Sequence, residues 1–335
     1  MFPVFDPRDA ACKSPFGAVA CGAEVSFTLR DGDYYACELL VHREFAGVDE
    51  VCPLPPAEGG FSGIYTAPQE PDLCWYAFRF TRADGSTVCY GRSGWCGQDA
   101  LVRWQLTVYE DTGTPEWFGQ GVSYQIFPDR FCRSRLPQPE GLVGERTVHE
   151  SWEDTPDYLP DEKGEIRNCD FFGGDFRGIT EKLDYLQSLS VTTLYLNPIF
   201  EAHENHRYNT ANYEKIDPLL GTEEDFKELC AKAKEMGISV ILDGVFSHTG
   251  ADSIYFNKFG RYGNNTGAYR DRNSPYYPWY SFTGYPDKYE SWWGITTLPN
   301  VNENNPEYTN YICGENGILQ KWIDLGAQGW RLDVA

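Results

Sequence analysis

Residues 329–335 read GWRLDVA, a short apolar strand that carries Arg331 and, two positions on, Asp333. A charged pair on a strand that otherwise reads as core needs a reason, because ions taken out of water are costly unless paired. Upstream lie three more apolar runs, GVSYQIF (121–127), VTTLYLNPIF (191–200) and ISVILD (238–243). Amphipathic stretches separate them. GITEKLDYLQSLS (178–190) and GILQKWIDLGA (317–327) read as helices. Thr222 caps a third, EEDFKELCAKAKEM, with Phe226, Leu229, Cys230, Ala233 and Met236 on one face and Gly237 at its end. Near-continuous apolar strands alternating with such helices predict a parallel sheet covered on both faces. Only four of these strands are present. Between the third and fourth lies an aromatic and polar insertion, residues 249–310, too long for an ordinary loop.

The unusual residues sit where these strands end. The second runs into Asn197, Pro198 and HENHRYNT (203–210); the third ends in Asp243 and continues to Ser247 and His248; the fourth carries Arg331 and Asp333. In a (β/α) barrel these ends share one mouth, where the chemistry is built. One polar group at one strand end is unremarkable, whereas three in register predict a site. A carboxylate beside an arginine is held ionised, which suits a nucleophile. A tyrosine platform and a histidine donor suit a sugar ring. A retaining glycosidase also needs a second carboxyl about 5–5.5 Å from the nucleophile, acting first as acid and then as base.

Residues 1–115 have a different rhythm. AEVSFTLR (23–30), YYACELLVHR (34–43), LCWYAFRFTR (73–82) and RWQLTVYE (103–110) alternate apolar and polar positions with turn residues between them, the pattern of a β-sandwich. DTGTPEWF (111–118) reads as the linker. Across the 335 residues, 41% are hydrophobic and 16% aromatic, enough for a full core. The net charge of −22 argues against a nucleic-acid partner, which needs a basic footprint. It fits a soluble protein with a neutral ligand. No basic stretch followed by an apolar run opens the chain, and no run of about 18 apolar residues predicts a membrane span. Eleven cysteines without a CxxC pair read as reduced thiols in a cytoplasmic protein.

YQIFPDRF (124–131), DFFGGDFRGI (170–179), LYLNPIFEA (194–202), NHRYNTANY (205–213), DGVFSH (243–248), LPNVN (298–302) and GWRLDVA resemble, in this order, the motifs of glycoside hydrolase family 13, the α-amylase family. The branch they resemble most is that of the neopullulanases and cyclomaltodextrinases, which carries an N-terminal β-sandwich. The resemblance implies an all-β sandwich (1–115) followed by an α/β domain (116–335), the first half of a (β/α)8 TIM barrel with domain B (249–310) inserted after its third strand. It implies Asp333 as the nucleophile and Arg331 as the residue that orients it. His248 would hydrogen-bond the sugar to be cleaved, Tyr208 would stack under it, and Asn302 closes the motif of domain B. Asp243 belongs to the third-strand motif and reads equally well as a buried structural carboxylate. The ring cluster YYPWY (276–280) invites a ligand-stacking reading beside Tyr208.

The implied activity is hydrolysis of α-1,4 and α-1,6 bonds in α-glucan oligosaccharides or cyclodextrins. A non-catalytic glucan-binding protein, or a module that forms a homodimer through the sandwich, is the alternative. The family's general acid lies on the fifth strand and a third essential aspartate on the seventh, so the expectation is a truncated piece of a longer enzyme, inactive alone. No cofactor and no metal are expected. The family often binds calcium through an asparagine where this chain has Ser247, and the neopullulanase branch also through an Asn/Asp-rich loop where it reads CRSRLPQPEG (132–141); of that second site only Gly173 and Asp175 survive.

Overall fold

A computed structural model describes residues 4–31, 33–136, 143–162, 164 and 166–334. They form two compact units, Met1–Pro115 and Glu116–Ala335. In the first, alternation sorts the side chains between core and solvent. Glu24–Leu29 buries Val25, Phe27 and Leu29. Ala36–Arg43 and Asp72–Thr81 pair antiparallel and bury Leu39, Val41, Tyr76, Phe78 and Phe80. The ADGS turn reverses the chain, with Arg82 N donating to Ser86 O at 2.8 Å. A four-stranded and a seven-stranded sheet thus enclose one aromatic-rich core, the expected sandwich.

The second unit is built on β1 (Val122–Ile126), β2 (Val191–Leu196), β3 (Ser239–Gly244) and β4 (Gly329–Leu332), parallel and in the order 1-2-3-4. Because the strand period is two, the sheet has two unlike faces. The even positions align as Tyr124–Leu194–Val240 and Ile126–Leu196–Leu242–Trp330. They enter the core with the helices. The odd positions align as Ser123–Thr193–Ser239 and Gln125–Tyr195–Ile241–Gly329, followed by Asp243 opposite Arg331. The expected cover on both faces is therefore not met among the described residues: the odd face is largely polar, and Ser123 and Gln125 are exposed.

The described residues hold five helices, α1 (Phe176–Glu181), α2 (Leu183–Ser188), α3 (Glu223–Glu235), α4 (Pro306–Cys313) and α5 (Ile318–Asp324). The single helix expected over 178–190 starts earlier and breaks at Lys182. Asp175 supplies its start, accepting from Gly178 N at 2.6 Å. Gly178 is needed there because a Cβ would come within 2.3 Å of Cys132 O. α3 has a full capping box: Thr222 Oγ1 accepts from Asp225 N at 3.2 Å, and Asp225 Oδ2 accepts from Thr222 N at 2.9 Å. α5 is tied in by Trp322, fully buried against Phe200 and Phe226, with its Nε1 donating to Tyr213 O at 3.0 Å.

Residues 249–310 contain only short elements, two 3-10 turns (Tyr277–Trp279 and Trp292–Gly294) and the hairpin Phe282–Gly284/Lys288–Tyr289, before α4 begins. Tyr255, Phe256, Trp279 and Tyr280 pack into the same core as the sheet. Trp279 and Tyr280 are therefore core residues, which corrects the ligand-stacking reading of YYPWY. No described helix is long and apolar enough to cross a membrane.

Removing the α3 cap tests how much this local signal contributes. Thr222→Ala should lower the unfolding free energy by about 1 kcal/mol in denaturant titration, and Thr222→Ser, which keeps the acceptor, should recover most of it.

Candidate active site

Alternation brings the strand-end residues onto one face. Asp243, at the end of β3, is buried, and burial pushes its carboxyl above the ordinary range. Four hydrogen bonds oppose that push. Tyr195, on β2, donates to Oδ2, and so does Tyr208 at 2.8 Å. Arg331 Nη1 reaches both oxygens, at 3.2 and 3.4 Å. The same nitrogen donates to Asp333 Oδ1, so one guanidinium serves two carboxylates. Asp333 lies just past β4, held by its amide donating to Gly244 O at 3.0 Å, and its side chain stays 16% exposed. Arg331 also lies over the Tyr195 ring, 5.9 Å from the centroid.

The network continues across the sheet. Asn197 Nδ2 donates to Tyr208 Oη at 3.3 Å, and Gln125 Nε2, on β1, donates to Asn197 Oδ1 at 2.8 Å. Residues from all four strands, or from the loops that leave them, are thus joined. Burial, foremost, raises the Tyr208 hydroxyl to about 12, so it stays protonated and donating. Tyr195 and Gln125 escaped sequence reasoning. Their signal is the run Thr193, Tyr195, Asn197, polar at every second position of a strand that otherwise reads as apolar.

His248 is buried beside this cluster, with its Nδ1 3.0 Å from Ser247 Oγ and its ring 5.7 Å from that of Trp292. Burial pushes its pKa down, against the pull of the Asp333 charge. Asn302 is not joined to the cluster. It is exposed, and its Oδ1 accepts from Asn304 N at 3.2 Å to close a turn before α4. The residue of LPNVN that bridges to His248 is Asn300, whose buried Oδ1 has no hydrogen-bond partner.

The carboxylates near the family's calcium positions do not fit that ion. Asp175 Oδ1 caps α1, and its Oδ2 accepts from Ser134 N at 3.2 Å and Oγ at 2.7 Å. Asp129 accepts from Phe172 N at 3.0 Å and Gly173 N at 2.9 Å, and pairs with Arg130 at 2.9 Å. Lone pairs directed at N–H donors are not free for a hard cation. Ser247 is bonded to His248. The carbonyl oxygens of His149, Phe172 and Glu150 accept from the Arg133 guanidinium at 3.0, 3.1 and 2.9 Å. Among the described residues no group of three or more His, Cys, Asp or Glu is placed to hold a metal; positions 137–141 of the ligand-poor stretch lie outside them.

Parallel strands joined through helices, with an arginine bridging two aspartates at their carboxyl ends, define an α/β unit whose candidate site lies at the strand ends. Residues 125–335 match the family described as alpha amylase, catalytic domain, and the chain belongs to that family, family 13 of the glycoside hydrolases. An amylopullulanase of Thermoanaerobacterium saccharolyticum is 35% identical over 376 residues, covering 98% of this chain but only 29% of the relative. The type III pullulan hydrolase of Thermococcus kodakarensis superimposes with a TM-score of 0.59 at 28% identity, over 98% of this chain and 55% of that one. The cyclic α-maltosyl-(1→6)-maltose hydrolase of Arthrobacter globiformis, solved with maltose, matches at 36% identity and a TM-score of 0.53, over 66% and 46%. The chain thus spans under a third of the amylopullulanase it matches.

Two measurements follow from this geometry. A buried neutral His248 has a folded-state pKa below the unfolded value of about 6.5, so the unfolded chain binds the extra proton and stability falls as pH drops below that value. The loss of melting temperature between pH 7 and pH 5 should be smaller in His248→Gln than in the wild type. Chelator should leave the melting temperature unmoved, whereas Arg133→Ala, which strips three carbonyls of their donor, should lower it by several degrees; a fall with EDTA that calcium reverses would refute the fit argument.

Proposed function

We propose that this chain carries the nucleophile half of a retaining α-glucan hydrolase, acting on α-1,4 and α-1,6 bonds of maltooligosaccharides, cyclodextrins or pullulan-derived pieces. The observation that carries the reading is the Arg331 guanidinium shared between buried Asp243 and partly exposed Asp333. Asp333 is the nucleophile: it is the accessible carboxylate, and Arg331 holds and aims it. Asp243 binds rather than reacts. Tyr208 is the platform under the sugar and neutral His248 hydrogen-bonds its hydroxyls; Asn302, which closes a turn outside the cluster, takes no part. The names and the maltose complex of the relatives support a glucan as substrate.

β1 to β4 are the first half of a (β/α)8 barrel, and residues 249–310 are its domain B. The strand order 1-2-3-4 and the likeness to the pullulan hydrolase support this. Asp243 and Asp333 share one donor nitrogen, Nη1 of Arg331. Asp243 nevertheless cannot be the acid, because its oxygens are filled by Tyr195, Tyr208 and Arg331 and lie out of solvent. The acid comes from a part of the enzyme outside these residues, and the 335-residue chain alone is inactive. Eleven free thiols support a reducing, cytoplasmic location.

In the complete enzyme, Asp333→Asn should abolish hydrolysis of maltotriose, cyclodextrin and pullulan while leaving the fold intact by circular dichroism. Tyr208→Ala should reduce kcat/KM by the equivalent of about 1–3 kcal/mol, the contribution of one aromatic platform. The 335-residue chain should show no measurable turnover, since a missing acid alone removes about 10²–10⁴-fold. Turnover by that chain, itself lost in Asp333→Asn, would place the acid within it and overturn the assignment.

A further inference from the structure

A cavity of about 560 Å³ lies in the second unit, and none of Asp243, Asp333, Tyr208 or His248 lines it. Its walls include His203, Glu204 and Asn209 from the loop after β2, and Asp252, Phe259 and Arg261 from the start of the insertion. Its size is within the range of small-molecule sites, about 300–1,000 Å³. The walls are fixed by backbone contacts. Gly250 N donates to Thr210 O at 2.9 Å and Ala251 N to Thr297 O at 2.8 Å. Gly250 itself is wedged so that a Cβ would come within 2.6 Å of Asn209 O and 2.7 Å of Asp252 Oδ1.

The polar groups lining it are incompletely used by the protein. Asn209 is 4% exposed, and its Oδ1 has no hydrogen-bond partner; His203 Nδ1 is in the same condition. Buried polar atoms without partners lose stability unless something else satisfies them. Asp252 is buried, and its pairing with Arg261 is loose at 3.9 Å, beyond hydrogen-bond range. Phe259 is 56% exposed and presents an apolar ring.

We propose that this cavity is a second saccharide site, taking a neutral glucosyl unit of an α-glucan away from the bond-cleaving cluster; the choice of sugar rests on the function proposed above. The charges select against the alternatives. An anion would meet the carboxylates of Glu204 and Asp252, and a cation would meet the guanidiniums of Arg261 and Arg167, the second already paired with Glu145 at 3.2 Å. A neutral ring of hydroxyls can donate to Asp252 and Asn209, accept from Arg261 and lay its C–H face on Phe259.

The test is calorimetric titration of maltotriose into the 335-residue chain, with inorganic phosphate as a competitor. Phe259→Ala and Arg261→Ala, both at partly exposed side chains, should each weaken binding at this site about tenfold, roughly the loss of one good contact. Arg261→Lys should fall between, and Tyr208→Ala should leave this site occupied. Maltotriose binding that disappears in Tyr208→Ala but ignores both cavity variants would overturn the second site and leave the hydrolase reading standing. So would phosphate that competes through Arg261. A folded wild type that binds no maltotriose also overturns the second site, and the hydrolase reading is then judged separately, by turnover of the complete enzyme.

Discussion

Burying the carboxylate of Asp243 is the constraint on which the second unit turns. An aspartate at 1% exposure has lost nearly all its water, and that loss is large unless donors replace it. The donors come from three separate places: Tyr195 on β2, Tyr208 in the following loop, and Arg331 on β4. Each is delivered by register. Slipping β4 by one residue against β3 would turn Arg331 onto the helix-packed face and bring Trp330 or Leu332 to the carboxylate. The ion pair and the hydrophobic core therefore specify the same alignment, one from each face of the sheet.

Away from the sheet, guanidinium groups hold irregular backbone in place. The excursion between β1 and α1 is pinned by Arg133 on three carbonyls and by Arg146, which pairs with Asp217 at 2.6 Å and also donates to Ala202 O. Burial works to raise Asp217, but Arg207 and Arg146 hold it below the usual carboxylate range. Both guanidiniums lie over the Phe171 ring, at 5.4 and 4.6 Å. A cation carried on a side chain needs no free ion to be present, and its planar donors match carbonyls fixed in several directions. That is the physical content of the poor fit to calcium.

Local signals in the sequence were enough to place the four strands, the capped α3 and the Asp243–Arg331–Asp333 grouping, because each rests on period or on an N-cap. What stayed hidden depends on contacts between distant segments. Tyr195 and Gln125 looked like ordinary members of apolar strands until pairing put them in one row. The break at Lys182 was invisible because the apolar spacing of α1 and α2 continues across it. Trp279 and Tyr280 were indistinguishable from surface rings, since the insertion has no period and only packing against Tyr255, Phe256 and Tyr308 shows them to be core. Asn302 and Asn300 are two residues apart in one motif, and nothing local reveals that the ladder to His248 runs through Asn300.

The two aspartates at the strand ends have the same chemistry and opposite circumstances. Asp243 is saturated with donors and shut off from solvent, so it can neither attack a sugar carbon nor exchange a proton without breaking the network that holds it. Asp333 has one strong donor and an exposed edge. A nucleophile needs one face held and the other free, and the role proposed for Asp333 rests on that circumstance. Arg331 links the two: it offsets the charge of the buried carboxylate and holds the exposed one in place. Replacing Asp243 by a neutral residue would therefore act on Asp333 through Arg331, by leaving the guanidinium to a single partner. The pair works as one electrostatic unit, which is why neither charge belongs to the strand without the other.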